Sequence, residues 1–313
     1  MKKVFWFMAL AALTLVSCNS NDDDNGIVIE GIDLSADVDC CSAEEALQVY
    51  NFLQTVNIIP ELSTTIDGLY NVFAYTKSGS FNKGYNEIFF VVTKKKTGNY
   101  VKNFEIKNVS PLMYMVKMNM SHSTPVGDGY VTFDETRPAL KRGWISFLMT
   151  TSDAGYWTLG YDVEVLGSTG SLADTEIVVD ELPSGQDWLK SFKVDNNTYY
   201  LSLANALDWK TGTNDIVAYV SKKGAMGTSP YPLATETFTV EIDPRMPDMA
   251  NHGSPDNVAL TRQEDGSYKG TINLTMTGLW RIHLTVKDAD GNIVAGGDDL
   301  KDGLSSLYWD VTL

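Results

Sequence analysis

Residues 86–95, NEIFFVVTKK, return in altered form as residues 214–223, NDIVAYVSKK, 128 positions later. Each stretch is rich in β-branched and aromatic residues, which is typical of a β-strand. Further matches keep a similar spacing: Met118 to Met246 is 128 positions, His122 to His252 is 130, and Met149 to Met276 is 127. Loop insertions and deletions produce such small drifts, so the sequence predicts a duplicated domain.

Alternation of apolar and polar residues assigns the faces of the predicted strands in both copies. The apolar positions are Ile145, Phe147 and Met149, then Trp157, Leu159, Tyr161 and Val163, in the first copy, and Ile272, Leu274 and Met276, then Trp280, Ile282, Leu284 and Val286, in the second. Side chains of a strand point alternately to opposite faces, so each set predicts one buried face. The pattern predicts an all-β fold of two tandem immunoglobulin-like β-sandwich domains, with a barrel as the alternative.

The predicted organisation follows from these strands and from local composition. Ser42-Ala43-Glu44-Glu45 has the pattern of a capping box and predicts a short N-terminal helix running to about Val56. Residues 167–171, GSTGS, predict a flexible joint between the sandwiches. The predicted segments are a signal peptide at 1–17, a lipidated acidic tether at 18–26, an N-terminal helical segment at 27–61, a first sandwich at 62–168, a linker at 169–189 and a second sandwich at 190–313.

The N-terminus has the features of an export signal. Lys2 and Lys3 precede an apolar run over residues 4–16, which is too short to span a bilayer. Residues 15–18, LVSC, match the bacterial lipoprotein box, and this resemblance implies cleavage before Cys18 and lipidation of its thiol. An ordinary signal peptide with an incidental cysteine is the alternative. The sequence therefore predicts a lipoprotein that contacts the membrane through lipid on Cys18.

A polar, acidic stretch, NSNDDDNG, follows the cysteine over residues 19–26. It has nothing to bury and predicts an extended tether. The stretch resembles the export tag of surface lipoproteins in the Bacteroidota, which implies an outer-membrane lipoprotein facing outward. A spacer on a lipoprotein that faces the periplasm is the alternative.

Charge restricts the classes of partner. The formal net charge is −16, and removal of Lys2 and Lys3 with the signal peptide makes it −18. Such a chain disfavours nucleic acid and anionic surfaces and favours cations. Cys40 and Cys41 are the thiols that remain after lipidation, and as neighbours they cannot join distant parts of the chain. The pair is predicted to be a vicinal disulfide, a thiolate metal site or two buried small residues.

Methionine and histidine are concentrated in the repeated region. The candidate metal ligands are Met246, Met249, His252 and Met276 in the second copy and Met118, Met120 and His122 in the first. Thioethers are soft, neutral donors that suit Cu(I) and bind without losing a proton. In the second copy Pro244, Pro247, Gly253 and Pro255 predict an irregular loop around these ligands. Met149 and Met276, like Met113 and Met115, are alternatively core residues, and His283 alternates outward and is interpreted as a surface residue.

Three motifs occur in order in the second copy: Met-Pro-Asp-Met from 246 with His252, Gly-Ser-Tyr at 266–268, and Met-Thr-Gly-Leu-Trp at 276–280. Together, over about residues 236–290, they resemble the YtkA-like domain, which is related to FixH. The resemblance implies an immunoglobulin-like, extracytoplasmic domain, and FixH-type members are associated with copper delivery. The first copy lacks the proline and inserts residues between Met149 and Trp157. Metal binding is therefore less strongly predicted for the first copy than for the second.

No sequence motif of a hydrolase, zinc peptidase, phosphate-binding loop or thiol oxidoreductase occurs, so the chain is predicted not to be an enzyme. The leading hypothesis is an envelope lipoprotein that binds Cu(I) as a chaperone or scavenger, chiefly through Met246, Met249 and His252. A copper-accepting or other envelope protein would be its partner. The alternative is a non-catalytic adhesion, assembly or glycan-binding lipoprotein whose methionines lie in the core.

Overall fold

A computed structural model of the protein describes residues 27–34, 42–182, 186–224, 227, 229–297 and 305–313. The predicted signal peptide, the lipidated Cys18, the acidic tether and the Cys40-Cys41 pair lie outside these residues. Strands dominate the described chain, and one α-helix precedes them. The fold is all-β, with two tandem immunoglobulin-like sandwiches behind a short helix, as the sequence predicts.

The N-terminal helix α1 spans Ala43–Leu53 and begins with the predicted capping box. The Ser42 hydroxyl accepts a hydrogen bond from the Glu45 amide at 3.3 Å, and the Glu45 carboxylate accepts one from the Ser42 amide at 2.8 Å. Both bonds satisfy donors that the first turn would otherwise leave free. The helix ends about one turn earlier than predicted, where Gln54 is its C-cap.

The first sandwich contains two main antiparallel sheets. Its strands are β1 (Asn57–Ile58), β2 (Thr64–Ile66), β3 (Tyr70–Thr76), β4 (Phe81–Asn82), β5 (Gly84–Lys94), β6 (Tyr100–Val101), β7 (Phe104–Met115), β8 (Met120–His122), β9 (Val131–Thr132), β10 (Lys141–Phe147), β11 (Gly155–Val165), β12 (Ser168–Ile177) and β13 (Val179–Asp180). One sheet has the order β1-β3-β5-β10-β9, with β2 on β3 and β6 on β5, and the other has the order β12-β11-β7-β8. Strands β4 and β13 form a short parallel pair.

The second sandwich forms one continuous, folded sheet. Its strands are β14 (Leu189–Val194), β15 (Asn197–Leu203), β16 (Gly212–Lys222), β17 (Thr239–Met246), β18 (His252–Gly253), β19 (Val258–Arg262), β20 (Ser267–Leu274), β21 (Leu279–Lys287), β22 (Ile293–Gly296) and β23 (Tyr308–Thr312). The order is β14-β15-β16-β20-β19-β17-β21-β22, with β18 on β17 and β23 on β21. The predicted inward positions of β20 and β21 are all buried in one core.

The repeated stretch has the same local structure in both sandwiches. In the first, the Asn86 side chain donates to the carbonyls of residues 82 and 84 and accepts from the amide of Asn82. In the second, Asn214 makes the same three bonds to residues 210 and 212. The equivalent glycines, Gly84 and Gly212, have φ of 90° and 106°. These shared contacts match the predicted offset of 128 positions.

The apolar run in β5 is continuous because both of its faces are covered. Ile88, Phe90 and Val92 lie in the sandwich core, whereas Phe89 and Val91 pack with the helix α1 residues Ala46 and Val49. A strand buried on both sides is expected to lose the alternation of a half-exposed strand. The equivalent outward position in β16 is occupied by Tyr219, which contacts the other domain instead.

The segment predicted as a flexible joint is a β-hairpin. Leu166 and Gly167 form the turn, with φ of 48° and 87°, and β12 pairs with β11 from Ser168 onward. The prediction was wrong because Gly, Ser and Thr are frequent in linkers and in exposed strands alike. The chain then stays on the first sandwich through β13, whose Val179 carbonyl accepts a hydrogen bond from the Thr151 amide at 2.8 Å.

The two sandwiches meet at a mixed polar and aromatic interface. The buried hydroxyls of Ser146 and Ser202 lie 2.6 Å apart, one from each domain. The rings of Tyr85 and Tyr219 stack at a centroid distance of 5.5 Å and an interplanar angle of 2°. Tyr231 adds a parallel β-bridge to Pro125, in which its amide donates to the Thr124 carbonyl at 3.0 Å. These contacts fix how the domains face each other.

Candidate functional site

Each sandwich contains one Met-His-Trp unit that spans three neighbouring strands. In the first domain, Met113 of β7 pairs with His122 of β8 on one side and with Trp157 of β11 on the other. The Trp157 indole donates to the Met149 carbonyl at 2.8 Å. A Cβ added to Gly155 would lie 3.0 Å from the Met113 methyl carbon, which shows how closely the thioether covers that glycine.

The second domain repeats the methionine–histidine pairing, the indole hydrogen bond and the close approach of the methionine to a glycine. Met246 of β17 pairs with His252 of β18, and the Trp280 indole donates to the Met276 carbonyl at 2.9 Å. A Cβ on Gly278 would again lie 3.0 Å from the methyl carbon of the buried methionine. The equivalence of His122 with His252 and of Met149 with Met276 therefore agrees with the sequence matches.

The match of Met118 with Met246 does not hold. The pairing with the histidine and the close approach to the glycine make Met113 the counterpart of Met246. The discrepancy arises because the segment that contains the loop is three residues longer from Met113 to His122 than from Met246 to His252. Strands β7 and β8 of the first domain continue their pairing as far as Met115 and Met120. Met118 lies in that loop, in the short 3-10 turn Val116–Met118, and is 63% exposed.

The ligands predicted in the second domain differ in exposure. Met246 ends β17 and is only 4% exposed within the hydrophobic core, whereas Met249 lies in the 3-10 turn Pro247–Met249 and is 50% exposed. Pro244 lies in β17 and not in the predicted irregular loop, which begins after Met246, because the strand pairing of β17 continues past Pro244. His252 is exposed beside Met246, and Met276 is partly buried against the core.

Of the ligands predicted in the first domain, Met120 and His122 line a cavity of about 520 Å³ between the two sandwiches, whereas Met118 does not. Met115, Met120, His122 and Met149 form one of its walls, which we call the thioether wall. Met115 and Met120 are paired across β7 and β8, and Met149 follows β10 and is more than one-third exposed. The interpretation as a core residue is therefore wrong for Met149, whereas it is correct for the buried Met113, and Met115 packs against the core while also bordering the cavity.

His122 is held with one ring nitrogen directed to the backbone. Its Nδ1 lies 2.8 Å from the carbonyl of Ser123, and a carbonyl can only accept, so Nδ1 carries the proton. The neutral ring then has its lone pair on Nε2, which is the atom that can bind a metal ion. The ring also packs edge-on against Trp157 at a centroid distance of 5.7 Å. The arrangement fixes both the tautomer and the orientation of the imidazole.

The thioether wall is a donor set of three sulfurs and one imidazole nitrogen. Such a set fits a soft, monovalent ion with a low coordination number better than it fits Mg²⁺ or Ca²⁺, which require oxygen ligands. Within the described ranges, no group of three or more His, Cys, Asp and Glu side chains is placed to hold a metal ion. In the same part of the chain, no helix has the length and hydrophobicity that a membrane crossing requires.

His283 is buried, which corrects its interpretation as a surface residue. It lies on β21, and the segment that leads into β23 covers it: the Ser305 amide donates to its Nδ1 at 2.9 Å. Burial lowers the pKa of His283, and the nearby Arg281 and Arg245 act in the same direction, against the Ser305 hydrogen bond and Asp243. The ring is therefore neutral in the folded protein at neutral pH.

This burial predicts acid sensitivity of the second domain. The folded-state pKa lies below the unfolded value, so the contribution of His283 is complete above about pH 6.5 and is lost as the pH falls through that value. We expect the free energy of unfolding to fall between pH 6.5 and 5 by up to about 1.4 kcal/mol per pH unit from this residue. Urea titrations of the wild type and H283Q at several pH values measure it. Parallel pH profiles of the two proteins would contradict the prediction.

A comparison with known protein families found a match within the second domain. Residues 193–285 match the family model described as YtkA-like. Over these residues, the second domain is similar to the YtkA-like family. The YtkA-like match begins in β14 and ends in β21, so it starts well before the predicted residue 236 and includes Met246, Met249, His252, Met276 and Trp280.

A sequence comparison with curated proteins found no match. Among solved structures, the protein is similar to the adhesin InvE of Yersinia pseudotuberculosis, with 11% sequence identity and a TM-score of 0.21. That alignment covers 75% of this chain and 55% of the adhesin, so the chain spans about half of the length of the structure it matches.

Proposed function

We propose that the protein is a non-catalytic lipoprotein of the bacterial cell envelope, anchored in the outer membrane through Cys18, that binds Cu(I) as a chaperone or scavenger. The observation that supports the copper proposal is the thioether wall, where three methionines and His122 border one cavity. The YtkA-like second domain supports the envelope location. The binding site of this proposal therefore lies mainly on the first domain, next to the second.

Sulfur and imidazole donors suit this ion for physical reasons. Cu(I) is soft and prefers polarisable ligands, and thioethers remain neutral and available where free thiols would be oxidised. His122 presents the lone pair of Nε2, because its Nδ1 faces the Ser123 carbonyl. Met120 and Met149 are partly accessible to solvent, so an ion can reach them without unfolding of the core.

The proposal predicts which methionines matter. We expect M115L/M120L/M149L to weaken Cu(I) binding by at least about 100-fold, because even substitutions outside the first ligand shell cost 10- to 100-fold. Leucine keeps the volume and the apolar character, so the fold should persist. Competition of the purified protein against a Cu(I) chelator under anaerobic conditions measures the affinity.

The second domain provides a matched control, M246L/M249L/M276L, which changes three sulfurs of the equivalent region. We expect this variant to retain copper affinity within a few-fold, whereas H122A should weaken binding because it removes the imidazole donor. If the wild type retains no copper against the chelator, the proposal is wrong. A larger loss in the second-domain variant would move the site to Met246, Met249 and His252.

A further inference from the structure

The lining of the interdomain cavity also carries positive charge. Lys83, Lys190 and Lys223 line it, and no carboxylate is among the lining residues. Asp187, which is not a lining residue, forms ion pairs with Lys83 and Lys190 at 3.2 and 3.5 Å. Three ammonium groups and one carboxylate leave an excess of two positive charges, in a chain whose net charge is −16. We call the three lysines the lysine wall.

Apolar and aromatic residues make up much of the remaining cavity lining. Leu148 and Leu189 contribute aliphatic surface, and Tyr200 and Tyr231 stack with a centroid distance of 5.8 Å and an interplanar angle of 7°. Burial raises the pKa of both phenols, so they remain neutral and keep their O–H donors. The volume of about 520 Å³ lies within the range of small-molecule sites, about 300–1,000 Å³, and far exceeds the space that one ion needs.

We propose that this cavity binds a small organic anion, with its apolar body against the leucines and tyrosines and its acidic group at the lysine wall. Charge complementarity favours this ligand over a free cation at the lysine side. The size of the cavity favours a small molecule over a polymer. The inference rests on residues outside the thioether wall and is independent of copper binding.

Two dyes with the same aromatic body test the proposal. The probe is 1-anilinonaphthalene-8-sulfonate, and the control ligand is the neutral 1-anilinonaphthalene, which lacks the sulfonate. We expect the full protein to bind one equivalent of the anionic dye more tightly than the neutral one. K83Q/K190Q/K223Q should weaken binding of the anionic dye by about 10-fold and change that of the neutral dye by less than about twofold, since each solvent-accessible ion pair contributes modestly.

A matched variant controls for the change in net charge. K95Q/K96Q/K102Q removes three exposed lysines that do not line this cavity, and it should bind both dyes like the wild type. The M115L/M120L/M149L variant should also keep its affinity for the anionic dye, whether or not the wild type binds copper. A lysine-wall variant that merely loosens the fold would bind both dyes more strongly. Equal affinities for the two dyes in the wild type, or equal losses in the two lysine variants, would overturn the proposal.

Discussion

Replacing Trp280 by alanine is expected to destabilise the second domain by about 3 to 5 kcal/mol, the range typical of large aromatic side chains removed from a core. Trp280 is fully buried, and its indole N–H donates to the Met276 carbonyl at 2.9 Å. The substitution creates a cavity and leaves that carbonyl without its donor. Trp157 has the same burial and the equivalent bond to Met149, so W157A should have a similar effect on the first domain.

Urea unfolding followed by circular dichroism measures this loss, and W280F separates its two components. Phenylalanine retains most of the apolar contact and removes the hydrogen bond, so it should cost clearly less than alanine. The difference between the two variants then estimates the contribution of packing. A loss below about 1 kcal/mol for W280A would show that Trp280 does not hold the core as its burial indicates.

Replacing Gly155 by alanine is expected to destabilise the first domain by about 1 to 3 kcal/mol, as overpacking does in other cores. A Cβ at this position would lie 2.4 Å from the Tyr114 carbonyl oxygen of the paired strand β7 and 3.0 Å from the Met113 methyl carbon. The carbonyl belongs to the backbone and cannot rotate away, so β7 and β11 must separate. The strain falls within the Met-His-Trp unit, so copper affinity should fall together with stability.

The matched control is G129A in the same domain. Nothing lies within 4 Å of a Cβ at Gly129, and its φ is not in the left-handed region. That variant should change the free energy of unfolding by no more than about 0.5 kcal/mol, as is usual for unconstrained surface positions. Thermal unfolding of both variants compares them directly, and a similar melting temperature for G155A and G129A would contradict the close approach of the two strands.

The fold could be predicted because the pattern of apolar and polar residues along each strand is a local property of the sequence. Inward positions such as Ile282, Leu284 and Val286 alternate with outward ones, and the repeated stretch marks equivalent strands in both domains. Alternation failed at His283, because a segment distant in the sequence covers the face that would otherwise contact solvent. Local pattern reports the direction in which a side chain points, but not what the rest of the chain places over it.

The candidate site was predicted only in part, for related reasons. The sequence identified Met120 and His122 as candidate ligands, but its emphasis on Met246 did not anticipate that this sulfur lies in the core. A constant spacing between matched residues does not show where one copy has gained residues. The spacing therefore aligned Met118 rather than Met113 with Met246. The cavity itself depends on how two domains dock, and no periodic pattern within either domain encodes that arrangement.

The bridge between Pro125 and Tyr231 has a mechanical consequence. Tyr231 donates to the Thr124 carbonyl and accepts from the Val126 amide, at 3.0 and 3.3 Å, so a tensile load between the domains has a second path besides the covalent connection. The buried serine pair and the stacked tyrosines share that load. Under stretching, the two sandwiches should move as one rigid unit until these contacts break. Only then should the domains separate from each other.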